Sequence, residues 1–489
     1  MSRSWILWYP LLAMSCAAQG FHPTIPRAWD DHEVKLFELP LAQPDRSPRY
    51  ISSGDYYEFK VRPVYRGYPI YFPGKEPQGY LDSLRQREPE IVFDPGRLRT
   101  EEDWIRAGEL VFDAPTTFIA VTDEVEADMR GYYRAAPFHV TREGILPYFQ
   151  YVVRKKGTLE LGVSGCAHCH TRVMPDGTAL RGAQGDVPFA QRAGWVARTR
   201  GLGPEQERRI RGLERLSFAA PWVGSTEEFD NMTIAEHIRR RMAMQPGVIP
   251  RQGSSSTHPT KVPSLIGIKD IRYLDSTGLV RHRSIGDLMR YAIVNYGLDL
   301  TAHFGDFQPS RSQAFSAEEG TRYSDEQLYA LALYLYSLKP PRNPNPTDAQ
   351  ARRGQRLFGQ QGCTACHAPP LYTNNKLVPA PGFQAPPDLE KTDDILNVSV
   401  GTDPTLAMKT RRGTGFYKVP SLRGVWYRNA FGHNGQADSL EEWFDPARLR
   451  DDYVPKGFHL GPGAIKGHEF GLRLLPDDRQ ALIAFLKTL

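Results

Sequence analysis

A chain of 489 residues is long enough for several folding units and a sizeable core. Its formal net charge of +5, from 61 basic and 56 acidic side chains, is too small to argue for a nucleic-acid partner. Five cysteines in the whole chain exclude a disulfide-built scaffold, and no apolar run is long enough to predict a transmembrane span.

Residues 1–20 read as a signal peptide. Arg3 supplies a positive start, Trp5 to Met14 an apolar stretch, and Ser15-Cys16-Ala17-Ala18 small residues for cleavage. The mature protein is therefore expected to be periplasmic or secreted. A lipid anchor through Cys16 is the alternative, disfavoured by Ala13 three residues before it. Residues 21–99 are rich in Pro, Tyr and Arg and show no helical period. They predict an N-terminal arm that wraps the rest, with a few short strands such as Tyr56 to Val61.

At Thr100 the pattern changes. Thr100-Glu101-Glu102-Asp103 reads as an N-cap with acids in the first turn, opening a helix that runs through Trp104 to Phe112. Much later Thr347-Asp348-Ala349-Gln350 reads as a capping box, opening a helix that ends at Phe358. Each opening helix leads to one five-residue pattern. The first is Cys166-Ala167-His168-Cys169-His170, reached after an insertion, and the second is Cys363-Thr364-Ala365-Cys366-His367.

Two cysteines three apart with His after the second form the attachment pattern for c-type haem. Each thiol can bond one vinyl-derived carbon of the porphyrin, and the adjacent imidazole then falls under the ring as the proximal iron ligand. A thioredoxin-like dithiol needs no following His, and a zinc site would need the two distant pairs to meet. Two covalently bound haem c groups are expected, held by Cys166, Cys169, His170 and by Cys363, Cys366, His367. With Cys16 in the signal, no thiol is left for a disulfide. The propionates of two haems would subtract about four charges and bring the protein near neutrality.

The repetition continues past the haem motifs. Val262-Pro263-Ser264-Leu265 mirrors Val419-Pro420-Ser421-Leu422, and Ser284-Ile285-Gly286 mirrors Ser439-Leu440-Glu441, each a Ser-capped helix start. Each copy closes on an amphipathic helix, one capped by Ser324 and Gln327, the other begun by Pro476. The predicted fold is mainly α, with two tandem cytochrome c-like domains wrapped by long loops. The first spans 100–340 with the insertion, 341–347 is a Pro-rich linker, and the second spans 348–489.

The copies differ where a sixth iron ligand is needed. Gly467-His468-Glu469 precedes the last helix of the second, whereas Glu318-Glu319-Gly320-Thr321-Arg322 stands there in the first. His468 is the expected second ligand of the His367 iron, with Met408, His433 and His459 as alternatives. The iron of the His170 haem is expected to be open, making it the catalytic position; His237, His258, His282 and His303 are the other candidates there. Arg239 to Arg241 and Arg251 form a basic cluster suited to solvent or to haem propionates. Tyr273, Trp222 and Trp426 are core aromatics or stepping stones for electrons.

With two haem c motifs, a Val-Pro-Ser-Leu-Arg-Gly segment and a Gly-His-Glu-Phe-Gly helix entry, the chain resembles the bacterial di-haem cytochrome c peroxidase superfamily. That superfamily also holds the di-haem enzyme that matures the tryptophan tryptophylquinone cofactor and the di-haem rubber oxygenases. The resemblance covers roughly residues 100–489 and is strongest over 343–489. It implies that the N-terminal haem faces substrate and the C-terminal haem transfers electrons. The chain has the Phe431-Gly432-His433-Asn434-Gly435 loop of the peroxidases. It lacks the Met that follows there, reading Trp443-Phe444-Asp445-Pro446-Ala447 instead, and it lacks a clear acidic residue after Leu288-Met289-Arg290. These departures and His468 look more like the rubber-oxygenase branch. The resemblance also implies a calcium ion between the domains, for which no acidic loop is dense enough to assign ligands.

The expected function is an exported di-haem oxidoreductase acting on peroxide or dioxygen. Its partner would be a small cytochrome, a cupredoxin or a small oxidisable substrate. A non-catalytic di-haem electron carrier is the alternative.

Overall fold

The helix Glu101–Asp113 begins with a full capping box: Thr100 accepts from the Asp103 amide at 3.1 Å, and the Asp103 carboxylate accepts from the Thr100 amide at 2.9 Å. Its counterpart, Ala349–Gln360, starts one residue later than the sequence suggests. Asp348 is the N-cap and accepts from Ala351 at 2.8 Å, so the expected box at Thr347 does not form. A carboxylate is the stronger acceptor for an exposed helix-start amide, and its charge also favours the helix dipole. Ser439 caps its helix through the Glu442 amide, whereas Ser284 stands at the start of Ile285–Asn295 without a capping bond. There the Asp287 carboxylate takes the neighbouring Arg283 amide at 2.9 Å instead. The computed structural model describes residues 21–250, 255, 257–310 and 320–489. The signal-peptide reading, Cys16, Arg251, Glu318 and Glu319 fall outside the described residues.

In each repeat the opening helix crosses the closing one, Asp325–Ser337 in the first and Pro476–Lys487 in the second. The crossings are built alike. Gly108 lies under the carbonyl of Ala330, and Gly354 under the carbonyl of Ala481, each so close that a Cβ would land on the partner backbone. Gly354→Ala should therefore destabilise the protein by about 1–3 kcal/mol through overpacking, despite the better helix propensity of Ala. Gly359→Ala, on the same helix with nothing beside it, should be neutral or stabilise by up to about 1 kcal/mol. Urea denaturation of the two variants checks the opposite signs.

The arm is more than a wrapping. Trp29, Phe37, Tyr56 and Val64 are buried in one core with Trp104, Val111 and Phe112 of the opening helix and Leu328, Leu331 and Leu335 of the closing helix. Tyr56 to Glu58, read from sequence as strand-like, end the helix Ser53–Glu58 capped by Ser52, and only Lys60–Val61 is extended. That short strand pairs in parallel with Thr321–Arg322 just before the closing helix. A seam of buried charge joins the arm to both repeats. Arg411 meets Asp299 at 3.0 Å, and Tyr50 donates to Glu38 at 2.9 Å beside Arg412.

The largest departure from the expectation of little sheet is a sheet that the arm and the insertion build together. Gly67–Tyr71, Ile145–Lys155, Thr158–Val163 and Thr117–Ala120 form a four-stranded antiparallel sheet in that spatial order. Ile145 to Lys155 is rich in aromatic and β-branched residues, and Lys156-Gly157 makes the tight turn to the next strand, with Gly157 at φ +82°. Helix Asp123–Ala135 covers one face through Tyr132 and Tyr133. The sheet therefore stands directly before Cys166. Elsewhere the fold is mainly helical with scattered two-stranded pairs, and no helix among the described residues is long and apolar enough to cross a membrane.

Candidate cofactor site

Cys363, Cys366 and His367 line one wall of a large cavity whose other walls include Phe358, Val425, Phe431, Leu440, Trp443, Phe444 and Leu486. Both thiols and the imidazole thus face the same apolar space, as two thioether bonds and an axial ligand to one flat macrocycle require. Nδ1 of His367 lies 3.1 Å from the Tyr372 carbonyl, which fixes the ring and leaves Nε2 as the ligating atom. Burial pushes the His367 pKa down, so the ring is in the neutral form that binds metal.

His468 lines the same cavity. Its ring centroid lies 6.3 Å from that of His367. Two imidazoles on opposite sides of one metal place their centroids roughly 6 Å apart, two metal–nitrogen bonds of about 2 Å plus a ring radius on each side. The pair therefore fits a single iron between them. Burial pushes the His468 pKa down to about 4, with further lowering by His367, and its Nδ1 has no partner in the protein.

The backbone delivers His468 by an unusual path. Gly467 and His468 both lie in the left-handed region, at φ +77° and +48°. The His468 amide donates to the Val400 carbonyl at 2.7 Å. Arg448, completely buried, holds the same loop from below. It donates Nε to the Trp443 carbonyl at 2.8 Å, Nη1 to the Ile465 carbonyl, and Nη2 to the carbonyls of Gly467 and His468 at 3.0 and 2.9 Å. Its guanidinium also lies 4.8 Å from the Trp443 ring, which packs 5.6 Å from His468. Arg448 was not singled out in the sequence; it lies just past Trp443-Phe444-Asp445-Pro446-Ala447 and carries no local signature.

The other candidates for this iron are placed differently. His433 also lines the cavity, but its ring lies flat on Tyr417 at 3.5 Å and its Nε2 is 2.9 Å from the Thr402 hydroxyl. Burial and the charge of Lys261 push its pKa down to about 3. Met408 packs against an apolar cluster of Ala380, Leu406, Ala407 and Tyr417.

At the first motif Cys166–His170 form one helical turn. Nδ1 of His170 lies 3.1 Å from the Pro263 carbonyl, in the repeated Val-Pro-Ser-Leu segment. Cys166 Sγ is 3.1 Å from the Tyr296 hydroxyl, and the Tyr296 ring lies 4.6 Å from that of Tyr323. His168, between the cysteines, is buried edge-on against Phe149 of the sheet and Phe189. Of the histidines considered for this iron, His282 uses both ring nitrogens, on the Ile271 carbonyl and the Tyr336 hydroxyl. His237 is buried against Phe229 and beside Glu214, His258 lies beside Glu228, and His303 is exposed on a strand. Asp299, the next carboxylate along the chain after Asp287, is buried against Arg411, in keeping with the lack of a clear acidic residue after Leu288-Met289-Arg290.

The described arginines of the basic cluster are paired within the protein. Arg239 and Arg240 pair with Glu236, Arg240 also with Glu228, and Arg241 with Glu214. Protein carboxylates meet these charges, so those three arginines are not poised for propionates. The aromatic candidates are packing residues with partners: Tyr273 bonds Asp393 at 3.1 Å, Trp222 stacks on Phe304 at 5.6 Å, and Trp426 packs on Tyr427.

No family model matches the chain. Among curated proteins it is 28% identical over 164 residues to the cytochrome-c peroxidase IdrP1 of Denitromonas iodatirespirans, covering 29% of this chain and 40% of that protein. It is 28% identical over 195 residues to the methylamine utilization protein MauG of Methylorubrum extorquens, covering 37% of this chain and 49% of MauG. The chain thus spans less than half the length of the curated relatives it matches. Among solved structures, it is similar to a MauG-like protein associated with microbial copper homeostasis, at 18% identity, covering 59% of this chain and 89% of that one, with a TM-score of 0.30.

Proposed function

We propose, from the membership of this chain in the di-haem cytochrome c peroxidase superfamily, that it is an exported di-haem oxidoreductase with two tandem haem modules, 100–340 and 348–489. Peroxide or dioxygen would be activated at the module of Cys166, Cys169 and His170, while that of Cys363, Cys366 and His367 passes electrons. Haem iron supplies the electron exchange and, where a coordination position is open, the binding of a small oxygen species.

The residues of the chain do the rest. The four cysteines anchor the two macrocycles. The carbonyls of Pro263 and Tyr372 orient His170 and His367 and raise their basicity as ligands. His468 would supply the second imidazole at this site, and the rings of Trp443 and Phe470 pack against its own. A small cytochrome, a cupredoxin or an oxidisable small molecule would supply the electrons. Export, read from residues 1–20, belongs to the same proposal, because haem c attachment in bacteria takes place outside the cytoplasmic membrane.

One observation carries the reading: the rings of His367 and His468 lie 6.3 Å apart at the cavity they both line, while the stretch before the closing helix of the first repeat, 311–324, holds neither His nor Met. Low-temperature EPR of the oxidised holoprotein, with and without azide, tests it. The expected result is one low-spin signal indifferent to azide beside one high-spin signal that converts. Two low-spin signals that both ignore azide, and still do so after partial reduction, would leave an electron carrier.

A further inference from the structure

Three basic side chains line the second cavity, and the carboxylate that acts on one of them, Asp275 on Lys418, does so without pairing with it. Lys261, Lys418 and Arg428 all line it, and none forms an ion pair with a carboxylate of the described residues. Arg428 spends Nη1 and Nη2 on the carbonyls of Ser421 and Arg423, while its Nε has no partner. The three charges are close enough to repel one another: Lys261 is pushed down to about 7, chiefly by burial and then by Arg428 and Lys418. Lys418 is pushed down to about 8 by burial, with Asp275 opposing and Arg428 adding to the fall. Like charges gathered at an apolar cavity give up protons when nothing offsets them, and an anion of matching charge would hold them charged.

The two lysines are one position seen twice. Lys261-Val262-Pro263-Ser264-Leu265 and Lys418-Val419-Pro420-Ser421-Leu422 extend the repeated segment by one residue. Yet both side chains reach the same cavity. Lys261 sits on Thr260–Lys261, a strand of the first repeat, and its amide donates to the His433 carbonyl of the second at 3.2 Å. It is therefore a residue of one repeat placed at the cofactor cavity of the other.

We propose that Lys261, Lys418 and Arg428 form a cationic clamp for the two propionates of the haem attached at Cys363 and Cys366. Through Lys261, the first repeat then helps to set the reduction potential of the haem held by the second. The clamp rests on the reading of Cys363 to His367 as a haem site. The chemistry fits: haem is a flat apolar ring with two carboxylates on one edge, matching a mainly apolar cavity whose lining also holds three basic side chains that act on one another. A cation beside a propionate disfavours the extra positive charge of ferric iron, so it raises the potential. A propionate that loses its cation in a buried place holds its proton to higher pH, which couples reduction to proton uptake.

The test is spectroelectrochemical titration of the low-spin haem in the holoprotein, comparing K261M, K261R, K418M and a control, K487M, at a half-buried lysine paired with Glu441. K261M and K418M are each expected to lower the midpoint potential of that haem and to steepen its dependence on pH across neutrality. K261R is expected to restore both, and K487M to change neither. Covalent haem, measured on denatured protein, separates the two ways of failing. An unchanged potential and pH slope in K261M and K418M, with full haem content, would overturn the clamp. Wild-type protein without covalent haem at Cys363 and Cys366 would overturn the site on which it rests.

Discussion

In the His468→Ala holoprotein, the low-spin EPR signal that ignores azide is expected to disappear, leaving two high-spin signals that both respond. The expectation follows from how His468 is held. Its ring lies 6.3 Å from that of His367 at the cavity both line, and its Nδ1 makes no bond with the protein that would turn the other nitrogen away from the cavity. No other imidazole of the cavity is ready to replace it. His433 is engaged on both counts, stacked on Tyr417 and bonded to Thr402. Loss of His468 should therefore leave a vacancy rather than a substitute ligand. Adding imidazole to the variant should restore the low-spin signal, because the space left between His367, Trp443 and Phe470 has the shape of the missing ring. A variant whose low-spin signal persists unchanged would move the axial ligand elsewhere on the cavity wall.

Arg448→Met should cost about 3 kcal/mol or more of stability and blur the same spectroscopic signature. Arg448 is fully buried and makes no ion pair within the salt-bridge distance among the described residues. Its donors go instead to the carbonyls of Trp443, Ile465, Gly467 and His468. Methionine fills much of the volume but leaves those acceptors without donors in a dry place, at about 1–3 kcal/mol for each one that finds no water. The loop it releases is the one that keeps Gly467 and His468 in the left-handed region, so the ring of His468 loses its fixed approach. Denaturant titration reads the first effect and the width of the low-spin EPR signal reads the second. Arg448→Lys should recover little of either, since one ammonium cannot reach four carbonyls arranged around a planar fork. A stable Arg448→Met protein with a sharp, unaltered low-spin signal would show that Val400 alone holds the loop.

Residues legible in the sequence are those whose role is set by neighbours along the chain. The two Cys-x-x-Cys-His motifs, the Thr100 N-cap, the Ser324 capping box and Pro476 at the first turn of the last helix depend on spacings of a few residues, and local backbone geometry fixes what such spacings can do. The repeat was legible for the same reason, because a duplicated segment keeps its own order. His468 could be named from its place in that repeat, though the pairing across the cavity could not. What only the tertiary structure decided depends on what lies opposite. Arg239 to Arg241 look free in sequence, and Glu214, Glu228 and Glu236 meet them. Lys261 and Lys418 look like surface lysines, and the fold brings them from two repeats to one cavity wall. Arg448 looks ordinary until four carbonyls close around it. The sheet shared by the arm and the insertion and the burial of Trp29 belong with them. A charge or an apolar side chain has no fixed meaning until its partner is placed, and partners hundreds of residues away are chosen by packing, which no local pattern records.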